Sequence, residues 1–151
     1  LVGTLKHNPA SRRRLFHAWT GAELEQMALP PCHMVYQFHV TSDGRLNCGL
    51  YQRSCDLLLG AAFNFTGAAA LQLMLAQQAD LRPGELVWMG GDVHLYLNHL
   101  DQAREQISRD PRPFPTMRLL RKPADIDSYR IEDFQVEGYM PHGPIKADVA
   151  V

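Results

Sequence analysis

The sequence predicts a single α+β domain in which an antiparallel or mixed β-sheet is packed by helices. Two runs of alternating apolar and polar residues flank Ser42-Asp43-Gly44, a pattern that is typical of a β-hairpin. A later segment that ends near Ala79 places its apolar residues at helical spacing. The chain has 151 residues, 46% of them hydrophobic, so it is long enough to bury a core of its own.

The individual elements follow from local patterns. Thr20 and Glu23 have the spacing of a capping box and predict a short helix through Met27, which Pro30 and Pro31 terminate. The remaining predicted elements are strands at residues 33–40 and 45–53, a helix from Asn64 or Thr66 to about Ala79, a strand at 85–89, a flexible corner at Gly90-Gly91, a helix at 97–108, and short strands at 117–120 and 131–137 separated by a turn or short helix at 126–129.

Composition and charge exclude several classes of protein. Lys and Arg number 15 against 16 Asp and Glu, a balance that argues against a broad basic face for nucleic acid. The uncharged segment from Leu57 to Ala79 is long enough to span a bilayer, but its amide side chains and many Ala and Gly residues favour a buried core helix. Three cysteines without a CxxC pair predict a reducing compartment, hence a cytoplasmic protein without a disulfide framework.

Cys32 is the candidate nucleophile. It follows Pro30-Pro31 at the point where a turn enters the first hairpin strand. A cysteine at such a position becomes reactive when neighbouring cations favour its thiolate form. The alternative is a small buried apolar residue without a chemical role.

Several polar residues are candidate ligand contacts. Arg12, Arg13 and Arg53 offer guanidinium groups that match a phosphate, and Ser54 adds a hydroxyl donor. The alternative for Arg12 and Arg13 is a solvent-exposed surface cluster. Asn64 either caps the long helix or reads a pyrimidine edge with its carboxamide, which carries both a donor and an acceptor.

A metal site is the least supported of these possibilities. His94 and Tyr96 share one side of the chain if that segment is extended, and Asn98 and His99 follow closely. No spacing of His and carboxylate residues there matches a zinc pattern, so the sequence predicts no metal.

Short blocks of residues in a fixed order connect these candidates, and together they resemble thymidylate synthase. The blocks are SRR at residues 11–13, MALPPCH at 27–33, LYQRSCD at 50–56, LG and FN at 59–60 and 63–64, GDVHLYLNH at 91–99, SRDPRP at 108–113, GY at 138–139 and AV at 150–151. Any one block would be weak evidence. Their common order across nearly the whole chain makes the resemblance specific.

The resemblance implies reductive methylation of dUMP to dTMP, with 5,10-methylenetetrahydrofolate as the one-carbon donor and reductant. By matching position, Cys32 is the nucleophile that adds to C6 of the uracil ring. The residues implied to bind dUMP are Arg53, Ser54, Cys55, Asp56, Asn64, His94 and Tyr96, together with Arg12 and Arg13 from a second subunit. Those implied to bind folate are Asp56, Gly60 and Ala150, the last in a tail that folds over the ligand.

The resemblance also implies a homodimer that forms through a face of the sheet, and Met34, Tyr36 and Phe38 offer an apolar face for it. Family chains extend upstream of the position that matches Leu1. We therefore expect residues 1–151 to be the C-terminal portion of a catalytic domain, with little turnover when isolated.

Two other functions remain open at this point. A pyrimidine-nucleotide hydroxymethylase would share the nucleophile and folate, although Asn64 argues against a cytosine substrate because such enzymes are expected to carry an acidic residue there. A truncated, non-catalytic binding module is the other possibility. The near-neutral charge and the lack of interleaved aromatic and basic residues argue against RNA as its partner.

Overall fold

A computed structural model describes residues 1–149. Its helices are α1 (Val2–His7), α2 (Ala61–Gln78) and α3 (Leu100–Ser108). Its strands are β1 (Leu15–His17), β2 (His33–Val40), β3 (Arg45–Asp56), β4 (Arg82–His94), β5 (Thr116–Leu119) and β6 (Phe134–Glu137). Short 3-10 turns lie at Gly21–Gln26, Leu97–His99, Ile126–Ser128 and Ile131–Asp133.

The main sheet is mixed, which confirms the predicted fold class. Its strand order is β1-β2-β3-β4, and the first two pairings are antiparallel. β3 and β4 pair in parallel, and α2 makes the crossover between them. Gly44 occupies the β2–β3 turn with a φ of +78°, a conformation that glycine adopts without strain. β5 and β6 form a separate antiparallel pair.

The core lies between this sheet and α2. Alternate side chains of β2 and β3 point towards the helix and are buried, among them Tyr36, Phe38, Leu46, Cys48 and Leu50. The helix contributes buried Ala68, Leu75 and Ala76, and the small alanines let its backbone approach the sheet closely.

A glutamine ties the helix to a disturbed part of the sheet. The register of β3 against β4 shifts between Leu46 and Cys48. The amide of buried Gln72 donates to Leu46 O at 2.7 Å and to Glu85 O at 3.1 Å. Side-chain donation therefore satisfies carbonyl groups at a bulge, where regular ladder bonding is interrupted.

Several predicted boundaries are wrong. β4 continues through Gly90 and Gly91, so these residues form no corner. A Cβ atom on Gly91 would lie 2.8 Å from Arg53 O, which explains why a glycine is needed where β4 passes β3. The turn after Thr20 is a 3-10 helix without a side-chain cap, and α1 and β1 have too few periodic residues to have been predicted.

The residues predicted for the dimer face are also wrong. Tyr36 and Phe38 are only 8% and 3% exposed because α2 packs on their side of the sheet. The free face is the opposite one, where Tyr51, Val87 and Met89 are exposed. Within the described residues, no helix combines the length and hydropathy required to cross a membrane.

Candidate active site

Cys32 directly precedes β2 and lies beside Arg53 of β3. The Arg53 N–H donates to Cys32 O at 2.9 Å, which fixes the two backbones against each other. Arg53 Nη2 lies 3.9 Å from Cys32 Sγ, and the Cys32 side chain is half-buried. A thiol that reaches the surface beside a guanidinium has the environment of a reactive cysteine.

The two prolines before Cys32 hold the Arg53 guanidinium in place. Arg53 Nε donates to Pro31 O and Nη2 donates to Pro30 O, each at 2.9 Å. The guanidinium also lies over the Trp19 ring, with Cζ 5.3 Å from the centroid. These contacts use Nε and Nη2, and within residues 1–149 the two Nη1 hydrogens have no partner and can bind an anion.

The other two cysteines are unsuited to nucleophilic attack. Cys48 and Cys55 are 0% and 1% exposed. Burial raises the pKa of Cys48 to about 11. Burial also raises the pKa of Cys55, and the charges of Asp56 and Cys32 raise it further. Cys32 is thus the accessible thiol of the three, while the Cys55 side chain points into the interior.

A line of hydrogen bonds orients Asn64. Buried Gln52 donates to Asn64 Oδ1 at 2.8 Å and to Ser54 O at 3.1 Å, and its own oxygen accepts from Trp88 Nε1 at 3.1 Å. Asn64 Nδ2 lies 3.1 Å from His33 Nδ1. The carboxamide therefore has a fixed direction. Asn64 is in the first turn of α2, whose N-cap is Gly60, so the interpretation of Asn64 as a cap is wrong.

Sequence reasoning missed Gln52, His33 and Trp88 as parts of this site. Gln52 and His33 lie inside the quoted blocks, directly beside Arg53 and Cys32. His33 and Gln52 both fit the alternating pattern of a strand, and that pattern by itself assigns neither residue to a site. A polar residue on the buried face of a strand, as Gln52 is, was the available signal that an amide partner had to lie nearby.

Asp56 and Gly60 shape the turn between β3 and α2. Asp56 Oδ1 accepts from the N–H groups of Leu58 and Leu59 at 3.0 and 3.2 Å, and Gly60 N donates to Asp56 O at 3.0 Å. A Cβ atom on Gly60 would lie 3.1 Å from Asp56 O. This leaves Asp56 Oδ2 without a hydrogen bond among the described residues.

His94 and Tyr96 lie at the end of β4, next to Asp56. His94 pairs in register with Asp56, and its ring meets that of Tyr96 edge to face at 5.0 Å. Both side chains are half-buried, as expected for residues on one side of an extended segment. Within residues 1–149, no group of three His, Cys, Asp or Glu side chains is arranged to hold a metal ion.

The side chains of Arg12 and Arg13 do not contribute to this cluster within the described residues. Both are exposed, and among residues 1–149 no hydrogen bond or ion pair joins either side chain to the other candidates. Arg14, the third arginine of the run, is 2% exposed and buries Nε and Nη1 without partners in the described chain. Ala150 lies outside the described residues.

The assembled cluster is an open surface in this chain. A cavity of about 450 Å³ lies between α3 and residues 141–145, and an apolar one of about 370 Å³ lies between α2 and α3. Neither is lined by Cys32, Arg53 or Asn64. The cluster therefore combines a nucleophile, a cation and an oriented amide on residues of β3, α2 and the segment just before β2.

The whole sequence resembles those of known proteins. The profile of the thymidylate synthase family matches residues 1–151. The chain belongs to this family. It is 79% identical to the thymidylate synthase of Rhodopseudomonas palustris, 75% to that of Cereibacter sphaeroides and 65% to that of Zymomonas mobilis. Each match covers 100% of this chain and 51% of the relative, so the chain spans about half the length of these curated thymidylate synthases.

Membership confirms the resemblance drawn from the ordered blocks. The identity extends over the whole chain, including the segments that carry Cys32, Arg53 and Asn64. These are also the residues that the fold brings to one edge of the sheet. The roles of the individual side chains are inferred below from their contacts.

Proposed function

We propose that this chain forms the nucleophile-bearing part of a thymidylate synthase that converts dUMP to dTMP with 5,10-methylenetetrahydrofolate. The observation that carries the proposal is the placement of a half-exposed thiol beside a held guanidinium, at the same sheet edge as an oriented carboxamide. Residues 1–151 act as one domain, and the rest of the protein encloses the ligands.

Cys32 supplies the nucleophile. Its thiolate adds to C6 of the uracil ring, and the resulting enolate makes C5 able to attack the folate methylene group. The Arg53 guanidinium, with Nη2 3.9 Å from the sulfur, places a positive charge beside the nucleophile. The C5 proton is lost, the bond between the transferred carbon and the folate nitrogen breaks, and hydride from the folate reduces that carbon to a methyl group as the thiolate departs, which gives dTMP and dihydrofolate.

The phosphate of dUMP binds at Arg53 and Ser54. Contacts with Trp19 and the two proline carbonyls hold the Arg53 side chain before ligand arrives, so less rotamer entropy is lost on binding. The exposed Arg12 and Arg13 side chains reach the phosphate held by a second subunit.

Asn64 selects the base. Gln52 donates to Asn64 Oδ1 and His33 Nδ1 lies 3.1 Å from Asn64 Nδ2, which fixes the carboxamide and leaves one Nδ2 hydrogen and one Oδ1 lone pair for a ligand. That arrangement matches the O4 acceptor and N3–H donor of uracil. Cytosine carries a donor in place of O4, so this carboxamide disfavours the hydroxymethylase alternative.

The remaining contacts surround the sugar and the folate. His94 and Tyr96 bind the sugar hydroxyl from the end of β4. Asp56 contacts both ligands, and Gly60, which packs against the Asp56 backbone, contributes to the folate site. Cys55 contributes to the dUMP site through its backbone because its thiol is buried. Ala150 belongs to the tail that covers the folate.

The active form is a homodimer joined through the free face of the main sheet. Tyr51, Val87 and Met89 are 37%, 50% and 49% exposed on that face, and burying them against a second copy removes this apolar surface from water. The three free cysteines support a cytoplasmic, reducing location.

The test uses the full-length protein and a Cys32→Ser variant. We expect the variant to form no dTMP while it binds dUMP within about threefold of the wild-type affinity, because the hydroxyl is a far weaker nucleophile than a thiolate. Turnover that survives the substitution would contradict the proposal. Identification of the product as dTMP or a hydroxymethyl nucleotide separates the two enzyme activities.

A further inference from the structure

The polypeptide that follows β6 is held against α3 by its backbone carbonyl groups. Arg109 Nη1 donates to Gly143 O at 2.6 Å, and Gln102 Nε2 donates to Lys146 O at 3.3 Å. His99 Nε2 lies 2.7 Å from Asp148 O. We call residues 143–149 the tail segment. Every one of these acceptors is a main-chain oxygen. Residues of α3 and those just before and after it therefore bind the backbone of the tail segment and not its side chains.

His99 differs from the other two donors because it is fully buried. It is 0% exposed, whereas the Gln102 and Arg109 contacts lie at the surface. A carbonyl oxygen only accepts, so Nε2 carries the hydrogen in this contact. Nδ1 is buried and has no partner among residues 1–149. Among residues 1–149, the only hydrogen bond of the His99 imidazole is therefore the one to the tail segment.

A series of ring contacts joins His99 to the proposed sugar site. His94 meets Tyr96 edge to face at 5.0 Å, and Tyr96 meets His99 in the same way at 5.8 Å. The three rings are in contact, so a displacement of the Tyr96 ring changes the packing around His99. A ligand that fixes His94 and Tyr96 also fixes the position of the ring that holds Asp148 O.

We propose that His99 is a positioning residue that couples nucleotide binding at His94 and Tyr96 to the placement of the tail segment over the folate. This inference rests on the proposed function. Its own content is that the Nε2–H donor of His99, and not only the packing of its ring, sets how tightly the tail segment is held. The expected consequence is an effect on folate affinity that dUMP affinity does not share.

The experiment compares full-length wild-type protein with His99→Phe, which keeps a ring, and His99→Gln, which keeps an amide donor at about the position of Nε2. We expect His99→Phe to raise the KM for methylenetetrahydrofolate roughly tenfold, the effect of losing one hydrogen bond to the tail, with dUMP affinity within twofold of wild type. His99→Gln should recover most of this loss. Arg104→Gln is the control, since Arg104 pairs within α3 with Asp101 and does not contact the tail.

Hydrogen exchange of the tail amides gives a second readout that does not depend on turnover. We expect dUMP alone to slow exchange at residues 145–149 in the wild-type protein and to have no such effect in His99→Phe. An unchanged KM for methylenetetrahydrofolate in His99→Phe would overturn the inference. An equal rise of this KM in His99→Gln would overturn it as well. So would bound dUMP that leaves the tail exchange unaltered in wild type. Failure of dUMP to bind at all would instead overturn the proposed function and the inference with it.

Discussion

Replacing Gln52 with Leu tests whether the hydrogen bonds of the Gln52 side chain position Asn64 for the pyrimidine. Gln52 is 1% exposed and makes three hydrogen bonds through its side chain, to Asn64, Ser54 and Trp88. Leucine is similar in size but can form none of them. The substitution leaves the Asn64 oxygen, the Ser54 carbonyl and the Trp88 indole N–H without these partners in a partly buried region.

The magnitude follows from those lost partners. Each buried polar group left unpaired costs about 1–3 kcal/mol, and the apolar side chain of leucine recovers part of the loss. We expect a net loss of about 3 kcal/mol in the free energy of unfolding. Because only the contact with His33 then orients the Asn64 carboxamide, we expect dUMP to bind about tenfold more weakly, the equivalent of one lost hydrogen bond.

The matched control is Gln72→Leu. Gln72 is also buried, and its amide donates to Leu46 O and Glu85 O far from the ligand cluster. Urea denaturation of both full-length variants should reveal similar losses of stability, whereas calorimetry should detect weaker dUMP binding only in Gln52→Leu. Equal dUMP affinity in the two variants would refute the argument that Gln52 orients Asn64.

Four further predictions follow from the structure. Iodoacetamide should alkylate Cys32 well before buried Cys48 and Cys55, and dUMP should slow that reaction; equal rates measured by mass spectrometry would contradict the assignment. Leu46→Ala should lower the free energy of unfolding by about 2–5 kcal/mol because Leu46 is 0% exposed, whereas Leu120→Ala at a 60% exposed position should change it little. Val87→Asp should convert the full-length dimer to monomer in light scattering, and an intact dimer would place the interface elsewhere. Asp133→Asn should destabilise the protein at neutral pH and have a smaller effect below about pH 4, as denaturation across pH can measure.

The pH dependence of Asp133 follows from its contacts. Burial by itself raises the pKa of this carboxyl, but hydrogen bonds from Arg130 N–H and the Arg121 side chain, together with both positive charges, outweigh burial and lower the pKa overall. A lowered folded-state pKa adds stability above the pKa of the unfolded chain. That stability disappears as pH falls through the folded-state pKa. A loss of stability in Asp133→Asn that stayed constant down to pH 3 would exclude this origin.

Local patterns predicted most of the β-hairpin and helices. The β2–β3 hairpin and the last turns of α2 and α3 follow from alternation, glycine and proline, which act within a few residues. Boundaries failed where distant contacts decide them. Gly90 and Gly91 indicate a break by local rules, yet pairing with β3 keeps the backbone extended through them.

The candidate site divides in the same way. Cys32, Arg53 and Asn64 were identifiable from the order of short blocks, because the chemistry of a thiol, a guanidinium and a carboxamide is a property of residue type. Gln52 and His33 were not, since their importance comes from contacts with Asn64 across 12 and 31 positions of sequence.

By itself the sequence determined the family and the α+β class and predicted Cys32 as the nucleophile, because these depend on residue identity, order and short-range periodicity. The tertiary structure alone decided which face of the sheet is buried, since α2 covers one side and leaves Tyr51 and Val87 on the other. It also decided that His99 lies against Asp148 O, 49 positions along the chain. Such contacts depend on how whole elements pack, and no local pattern encodes the distance between them.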